Sequence, residues 1–233
     1  MHRKQWRPQL TSSEQRRGWV FFVIYVVVFP FLMGQIQRLA GEQEVFLPVA
    51  EANVVYYFLS AVLLLLLLWS YLKNGFFLLL DWLPENLFAF LTGLGGALVL
   101  HLLVMRVPLP VSNPIYLDYP EQFALSPMAT GVLLVVLMPL VEEVLFRGLM
   151  FGSLRRYSRP LAYAVTVLFY AVYCVWQYVF SYGALDLRYL LLFVQYLPMS
   201  LALTWCYDNG GSIWSAVALH MAINGFILFS AVH

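Results

Sequence analysis

Long apolar runs broken by short polar stretches dominate the chain, and their lengths set its architecture. A helix that crosses the hydrocarbon core of a bilayer needs about 20 residues. Runs of that size cover roughly 18–37, 53–72, 86–107, 128–152, 160–181, 188–207 and 212–231, which predicts an all-α, polytopic transmembrane helix bundle of about 7 spans. The stretch from Phe76 to Leu83 is too short to cross and is followed by Pro84. It is expected to lie along the surface or to re-enter, adding an eighth helical piece. From Pro108 to Pro120 the prolines argue against any regular helix. The first apolar run, Trp19 to Met33, follows a long polar lead and precedes Gly34-Gln35-Ile36-Gln37, which is no small-x-small cleavage pattern. It is therefore expected to remain as the first span.

Composition agrees with this pattern. Of 233 residues, 62% are hydrophobic and 11% charged, so lipid rather than water must solvate the chain. A net charge of +1 excludes the clustered basic surplus that nucleic-acid binding needs. Cys174 and Cys206 both fall within apolar segments and read as small buried hydrophobes rather than a disulfide. Basic residues gather on one side of the expected topology: Arg3, Lys4, Arg7, Arg16, Arg17, Lys73, Arg155, Arg156 and Arg159. The other side carries Arg38, Arg106 and Arg188 among the acids Glu42, Glu44, Glu51, Asp118, Glu121 and Asp186. The positive-inside rule then predicts a cytoplasmic N-terminus in an integral membrane protein, and the compact, loop-poor chain suggests a bacterial plasma membrane. No internal repeat is visible, so an inverted-repeat transporter has no support.

Three ionisable residues, Glu142, Glu143 and Arg147, close an otherwise apolar stretch. Carboxylates at membrane depth are expensive and are functional candidates by default. Glu143 and Arg147 are spaced i, i+4 with the acid first, the favourable order for a helical ion pair, while Glu142 points about 100° away. The pair is expected to clamp the structure and Glu142 to be reactive. His220 and Asn224 are also i, i+4, so an imidazole and a carboxamide share one helix face. At 1.5 Å per residue, Glu142 lies about 16 Å before the fourth span's end near Ser153, and His220 about 12 Å past Ser212 at the same membrane face. Tyr173 and Cys174 reach about 20 Å from Pro160. Three helices thus bring polar groups to similar depth.

Glu142-Glu143-x-x-x-Arg147-Gly148, then Gly211-Ser212-Ile213-Trp214 leading to His220-x-x-x-Asn224, resembles the CAAX-protease and bacteriocin-processing family of intramembrane peptidases. That family includes the CAAX prenyl endopeptidase and bacterial members linked to bacteriocin self-immunity. The resemblance covers about residues 128–231. It divides the chain into a cytoplasmic basic tail (1–17), N-terminal membrane helices (18–127) and a peptidase-like core (128–233). It implies that Glu142 activates a water, His220 helps to bind it and Asn224 supports the oxyanion, with Glu143 and Arg147 in support. The family's middle motif, Phe-x-x-x-His, would fall on Phe169-x-x-x-Tyr173 or Tyr170-x-x-x-Cys174, and neither register supplies the histidine. Tyr173 and Cys174 are the candidate substitutes.

The resemblance leaves zinc open as a cofactor, but one Glu and one His fall short of the three protein ligands of a catalytic zinc site, so none is expected. His101 sits alone in an apolar helix and reads as a packing residue, while His2 and His233 are terminal. The expected substrate is a membrane-associated protein or peptide approaching from the cytoplasmic side, the other partner being lipid. Two other readings stay open: a catalytically impaired pseudopeptidase that binds a membrane partner, and a proton-coupled transporter using the two glutamates as a relay. Gln177 and Gln195 read as interhelical hydrogen bonds, and Asp208-Asn209-Gly210-Gly211 as a turn. Trp19, Trp69, Tyr71, Trp205 and Tyr207 read as interfacial anchors, and Gly93, Gly95 and Gly96 as a close-packing stripe.

Overall fold

The computed structural model describes residues 8–43, 48–180 and 185–232. His2, Arg3, Lys4, Arg7, Glu44 and His233 lie outside them. Among the described residues every regular element is helical. The principal helices are α1 (Ser12–Ile36), α2 (Val49–Leu67), α3 (Trp69–Asp81), α4 (Leu83–Val104), α5 (Ile115–Leu125), α6 (Pro127–Arg155), α7 (Arg159–Tyr173), α8 (Leu187–Gly210) and α9 (Ile213–Val232). Six of them, α1, α2, α4, α6, α8 and α9, are long and apolar enough to cross a membrane. The chain is a polytopic helical bundle, as its apolar pattern predicts.

Four elements differ from expectation, each for a local reason. Thr11 and Glu14 form a capping box, which starts α1 at Ser12 rather than near 18 and makes Arg16 and Arg17 helical. Glu14 also accepts Tyr71 N–H at 3.0 Å through Oε1, satisfying a backbone donor of α3's first turn. The expected fifth span, 160–181, is only the 15-residue α7, followed by a turn at Cys174 and a 3-10 turn over Trp176–Val179. The proline-rich stretch does hold a helix, since α5 carries Pro120 in its interior and Asn113 Oδ1 accepts Ile115 N–H at its start. The short apolar piece at Phe76 is the second half of α3. The start of α9 reaches α3 at one end of the bundle, where Ser212 Oγ donates to Gly75 O at 2.7 Å and Trp214 Nε1 to Leu72 O at 2.9 Å.

The core is built on α6. More than half of its apolar window is buried, 56%, against 17% for α4, and every residue from Val141 to Phe151 is buried. The helices α1, α2, α7, α8 and α9 all pack against it. Gly148 makes one of these contacts possible, because a Cβ there would sit 2.6 Å from Tyr71 Oη and 2.9 Å from its ring. Tyr71 in turn donates to Tyr207 Oη at 3.1 Å. Both tyrosines are buried, at 1% and 0% exposure, so they are core residues rather than interfacial anchors. Their depth in the chain's span ends hid this. Of the expected glycine stripe only Gly93 makes a close approach, with Leu219 2.8 Å from a hypothetical Cβ, whereas Gly95 and Gly96 face open space.

The bundle has two unlike ends. At one, α1 begins, α6 ends, α7 begins and α8 turns into α9 through Gly211, whose φ is 85°. Asp208, expected as a turn residue, is the hub here: its carboxylate accepts Arg155 Nε at 2.8 Å, Arg159 Nε at 2.7 Å and Tyr163 Oη at 3.2 Å. Gln9 Nε2 donates to Gly211 O and Gln15 Nε2 to Ser153 Oγ, both at 2.8 Å, which ties the N-terminal segment to this basic end. The far end holds Arg38 with Glu42, α5 and the Asp186–Arg188 pair.

The packing at Gly148 gives a direct test. Gly148→Ala should destabilise the purified protein in detergent by about 1–3 kcal/mol, the usual range for forcing a methyl into a filled core. Gly95→Ala should leave the thermal midpoint unchanged; equal midpoints for both variants would refute the contact.

Candidate functional site

Glu143 occupies the centre of the site. Its Oε1 receives Arg147 Nη1 at 2.9 Å and meets His220 Nδ1 at 2.8 Å, with all three side chains at 0% or 1% exposure. A carboxylate paired with arginine only accepts, so Nδ1 carries a proton, and in the neutral tautomer this leaves Nε2 as the acceptor. Arg147 Nη2 also donates to Ser200 O at 3.2 Å and Ser200 Oγ at 3.1 Å. Thus α6, α8 and α9 converge on one buried ion pair. Glu143 Oε2 and Arg147 Nε are buried without a hydrogen-bond partner among the described residues.

Glu142, one position earlier, turns elsewhere. Tyr170 Oη donates to its Oε2 at 2.7 Å. The Arg147 guanidinium lies over the Tyr170 ring, 4.2 Å from its centroid, a cation–π contact. The Tyr170 ring also meets His220 edge-on at 6.3 Å. Tyr170 therefore touches both halves of the site, although the sequence pattern singled out Tyr173 and Cys174. Tyr173 lies one turn on, against Tyr25 at 5.8 Å and Phe146 at 5.0 Å. Cys174 is half-buried and belongs to the cavity wall. A signal for Tyr170 was present: it stands one turn nearer the basic end than Cys174, closer to the depth of Glu142.

The position of Asn224 follows from a proline. Around Val132–Leu137 the bonding of α6 widens to π-type turns, with Met138 N–H reaching Leu133 O, five residues back. The next donor in that register would serve Leu134 O, but it belongs to Pro139, which has no N–H. Asn224 Nδ2 supplies the missing bond to Leu134 O at 2.9 Å. One amide hydrogen is thus spent on the fold, and the second, with Oδ1, stays available.

These residues share a cavity of about 920 Å³. Glu142, Tyr170, His220 and Asn224 lie at bundle depth, with Tyr173 and Cys174 on the wall. Further lining comes from the far end: Gln35 and Arg38 after α1's apolar half, Asn53 in α2's first turns, Tyr119 of α5, and Trp176, Gln177, Tyr178 and Phe180 after α7. No residue of the basic end lines it. Access from the cytoplasmic side and a cytoplasmic N-terminus were expected together, yet the cavity lining reaches the far end of the bundle and not the end where α1 begins. Arithmetic on helix depth placed the site but carried no information on which end was sealed.

Zinc does not fit the donors. Among the described residues no group of three His, Cys, Asp or Glu converges to hold a metal ion. Glu143 Oε1 is taken by Arg147 and by His220 Nδ1 and Glu143 does not line the cavity, which leaves Glu142 and His220 Nε2 where three ligands are needed. His101 lies near the end of α4 and outside the cavity lining.

Six apolar helices with two carboxylates, an arginine and a histidine buried between them mark an integral membrane protein. Residues 124–226 match the family described as Type II CAAX prenyl endopeptidase Rce1-like, to which that segment is similar. All of α6 from Glu142 onward, α7, α8 and the His220–Asn224 pair fall inside the match. No curated protein and no solved structure matched the chain.

The buried pair separates the two glutamates. Glu143→Ala leaves Arg147 buried and uncompensated and should lower stability by about 3–5 kcal/mol. Glu142→Gln keeps an acceptor for Tyr170 and should fold normally. Thermal unfolding of both variants in detergent checks this, and equal losses would rule out the division of labour.

Proposed function

We propose that this protein is an intramembrane endopeptidase of the CAAX type, hydrolysing a peptide bond of a membrane-associated protein or peptide with water activated by Glu142. The observation that supports this most directly is that Glu142, His220 and Asn224 line one cavity within the endopeptidase-like segment. Tyr170 holds Oε2 of Glu142, leaving Oε1 to take a proton from water. The hydroxide adds to the scissile carbonyl, and the second amide hydrogen of Asn224 is placed to meet the developing oxyanion. His220 Nε2 holds the attacking water as acceptor. When the C–N bond breaks, the proton held by Glu142 passes to the leaving amine. Glu143 fixes the His220 tautomer and is itself held by Arg147, so both act as positioning residues. The protein belongs in a plasma membrane with its N-terminus cytoplasmic, as its basic residues argue; the compact chain favours a bacterial one.

The departure at the middle motif favours a second reading, a pseudopeptidase that uses the same cavity to bind a membrane partner. N-terminal profiling of membranes from the native host separates the two. New protein N-termini present with wild type and lost with Glu142→Gln, at matched expression, would establish hydrolysis. Identical profiles, with deletion of the protein still altering the cell, would leave only the binding reading.

Tyr170→Phe tests the positioning of the base. Losing a hydrogen bond to a charged group is worth about 1.5–3 kcal/mol, so kcat/KM should fall roughly 10- to 100-fold while Tyr173→Phe has a smaller effect. Activity should also persist after chelator treatment, because the donors form no zinc site; loss restored by zinc alone would overturn the metal-free scheme.

A further inference from the structure

The cavity's mouth and the chain's basic residues occupy opposite ends of the bundle. At the closed end Asp208 binds Arg155 and Arg159, with Tyr163 adding a third bond, and the N-terminal segment is tied down through Gln9 and Gln15. Buried side chains fill the way from that end to the site: Phe151 and Tyr207 are both 0% exposed, Leu149 likewise, and Tyr71 1%. At the open end α1 stands clear of the bundle beyond Phe29, and Phe31, Gly34, Gln35 and Arg38 are exposed while still lining the cavity. The rim continues through Asn53 and Phe180.

Charge decides which compartment each end faces. The described basic residues at the closed end are Arg16, Arg17, Lys73, Arg155, Arg156 and Arg159, and the sequence adds Arg3, Lys4 and Arg7 before them. The open end has Arg38, Arg106 and Arg188, and two of these are matched by neighbouring acids, Glu42 and Asp186. Lysine and arginine are retained on the cytoplasmic side of a membrane. We propose that the cavity opens on the non-cytoplasmic face, so that this protein takes its peptide or membrane-protein segment from outside the cytoplasm. The choice of such a segment as occupant rests on the endopeptidase reading; the direction of the mouth rests only on charge and geometry.

The native cysteines provide the probe. Cys174 is half-buried on the cavity wall, and Cys206 is fully buried. In intact host cells a membrane-impermeant maleimide should modify Cys174, and Cys174→Ser should abolish that labelling. Gln35→Cys, built on Cys174→Ser, places a second thiol on the exposed rim and should behave as Cys174 does. Asn209→Cys, also on Cys174→Ser, marks the closed end and should react only after the cells are permeabilised. Labelling of Cys174 and Gln35→Cys only after permeabilisation, in step with Asn209→Cys, would overturn the proposal. So would failure of both rim and wall thiols to react from either side. Glu142→Gln carries native Cys174 and should be labelled like wild type, which keeps this result separate from whether the protein cleaves peptides.

Discussion

One oxygen atom, Oε1 of Glu143, organises this structure. It receives Arg147 from its own helix and His220 from α9, while Arg147 reaches on to Ser200 in α8. Glu143 and Arg147 are fully buried and have no water as an alternative partner, so each depends on the others being in place. Hydrophobic packing cannot set the register of apolar helices against one another in lipid, because lipid is as apolar as leucine. The buried ion pair supplies that register. It fixes the depth of α9 relative to α6, and therefore the depth of His220 and Asn224 relative to Glu142.

The same constraint accounts for the irregular bonding of α6. Two π-type stretches, Val132–Leu137 and Val144–Phe151, flank the α-helical turns that carry the glutamates. A helix with strictly regular bonding would leave Pro139 in conflict with the carbonyl four residues back. Widening the turn removes the conflict but leaves Leu134 O without a donor, and Asn224 fills that place. The carboxamide thus serves the fold with one hydrogen and faces the cavity with what remains. His220 is divided in the same way, with Nδ1 on Glu143 and Nε2 uncommitted. Both polar cavity residues of α9 are anchored by one polar atom each.

Much of this was legible in the sequence. Span lengths gave the bundle, and the i, i+4 order of Glu143 and Arg147 gave the ion pair that the structure contains. Helix rise brought Glu142 and His220 to one depth, and both line the cavity. Three features were not legible, for different reasons. Tyr170 and Tyr173 differ by less than one helical turn, and only the rotation of α7 against α6 decides which hydroxyl meets Glu142. Tyr71 and Tyr207 stand near span ends, where amphipathic rings sit at headgroup level; the glycine at 148 that admits Tyr71 into the core lies far away in sequence. Asp208 looked like a turn residue because its partners, Arg155 and Arg159, lie on other helices.

Replacement of the middle-motif histidine alters what the site can offer a water. The Tyr170 hydroxyl is committed to Glu142 as a donor, and its ring is committed to Arg147. It therefore orients the carboxylate with its one hydrogen, while its oxygen can still accept. Cys174 adds only a weak donor and a weak acceptor on the wall. In the proposed mechanism a water rests between Glu142 and His220 Nε2, two acceptors, and donates its hydrogens to them. That leaves its lone pairs free toward the cavity, the direction from which a carbonyl carbon approaches. In that scheme the tyrosine acts on the water through the carboxylate it holds, and the water's nucleophilic face stays unobstructed.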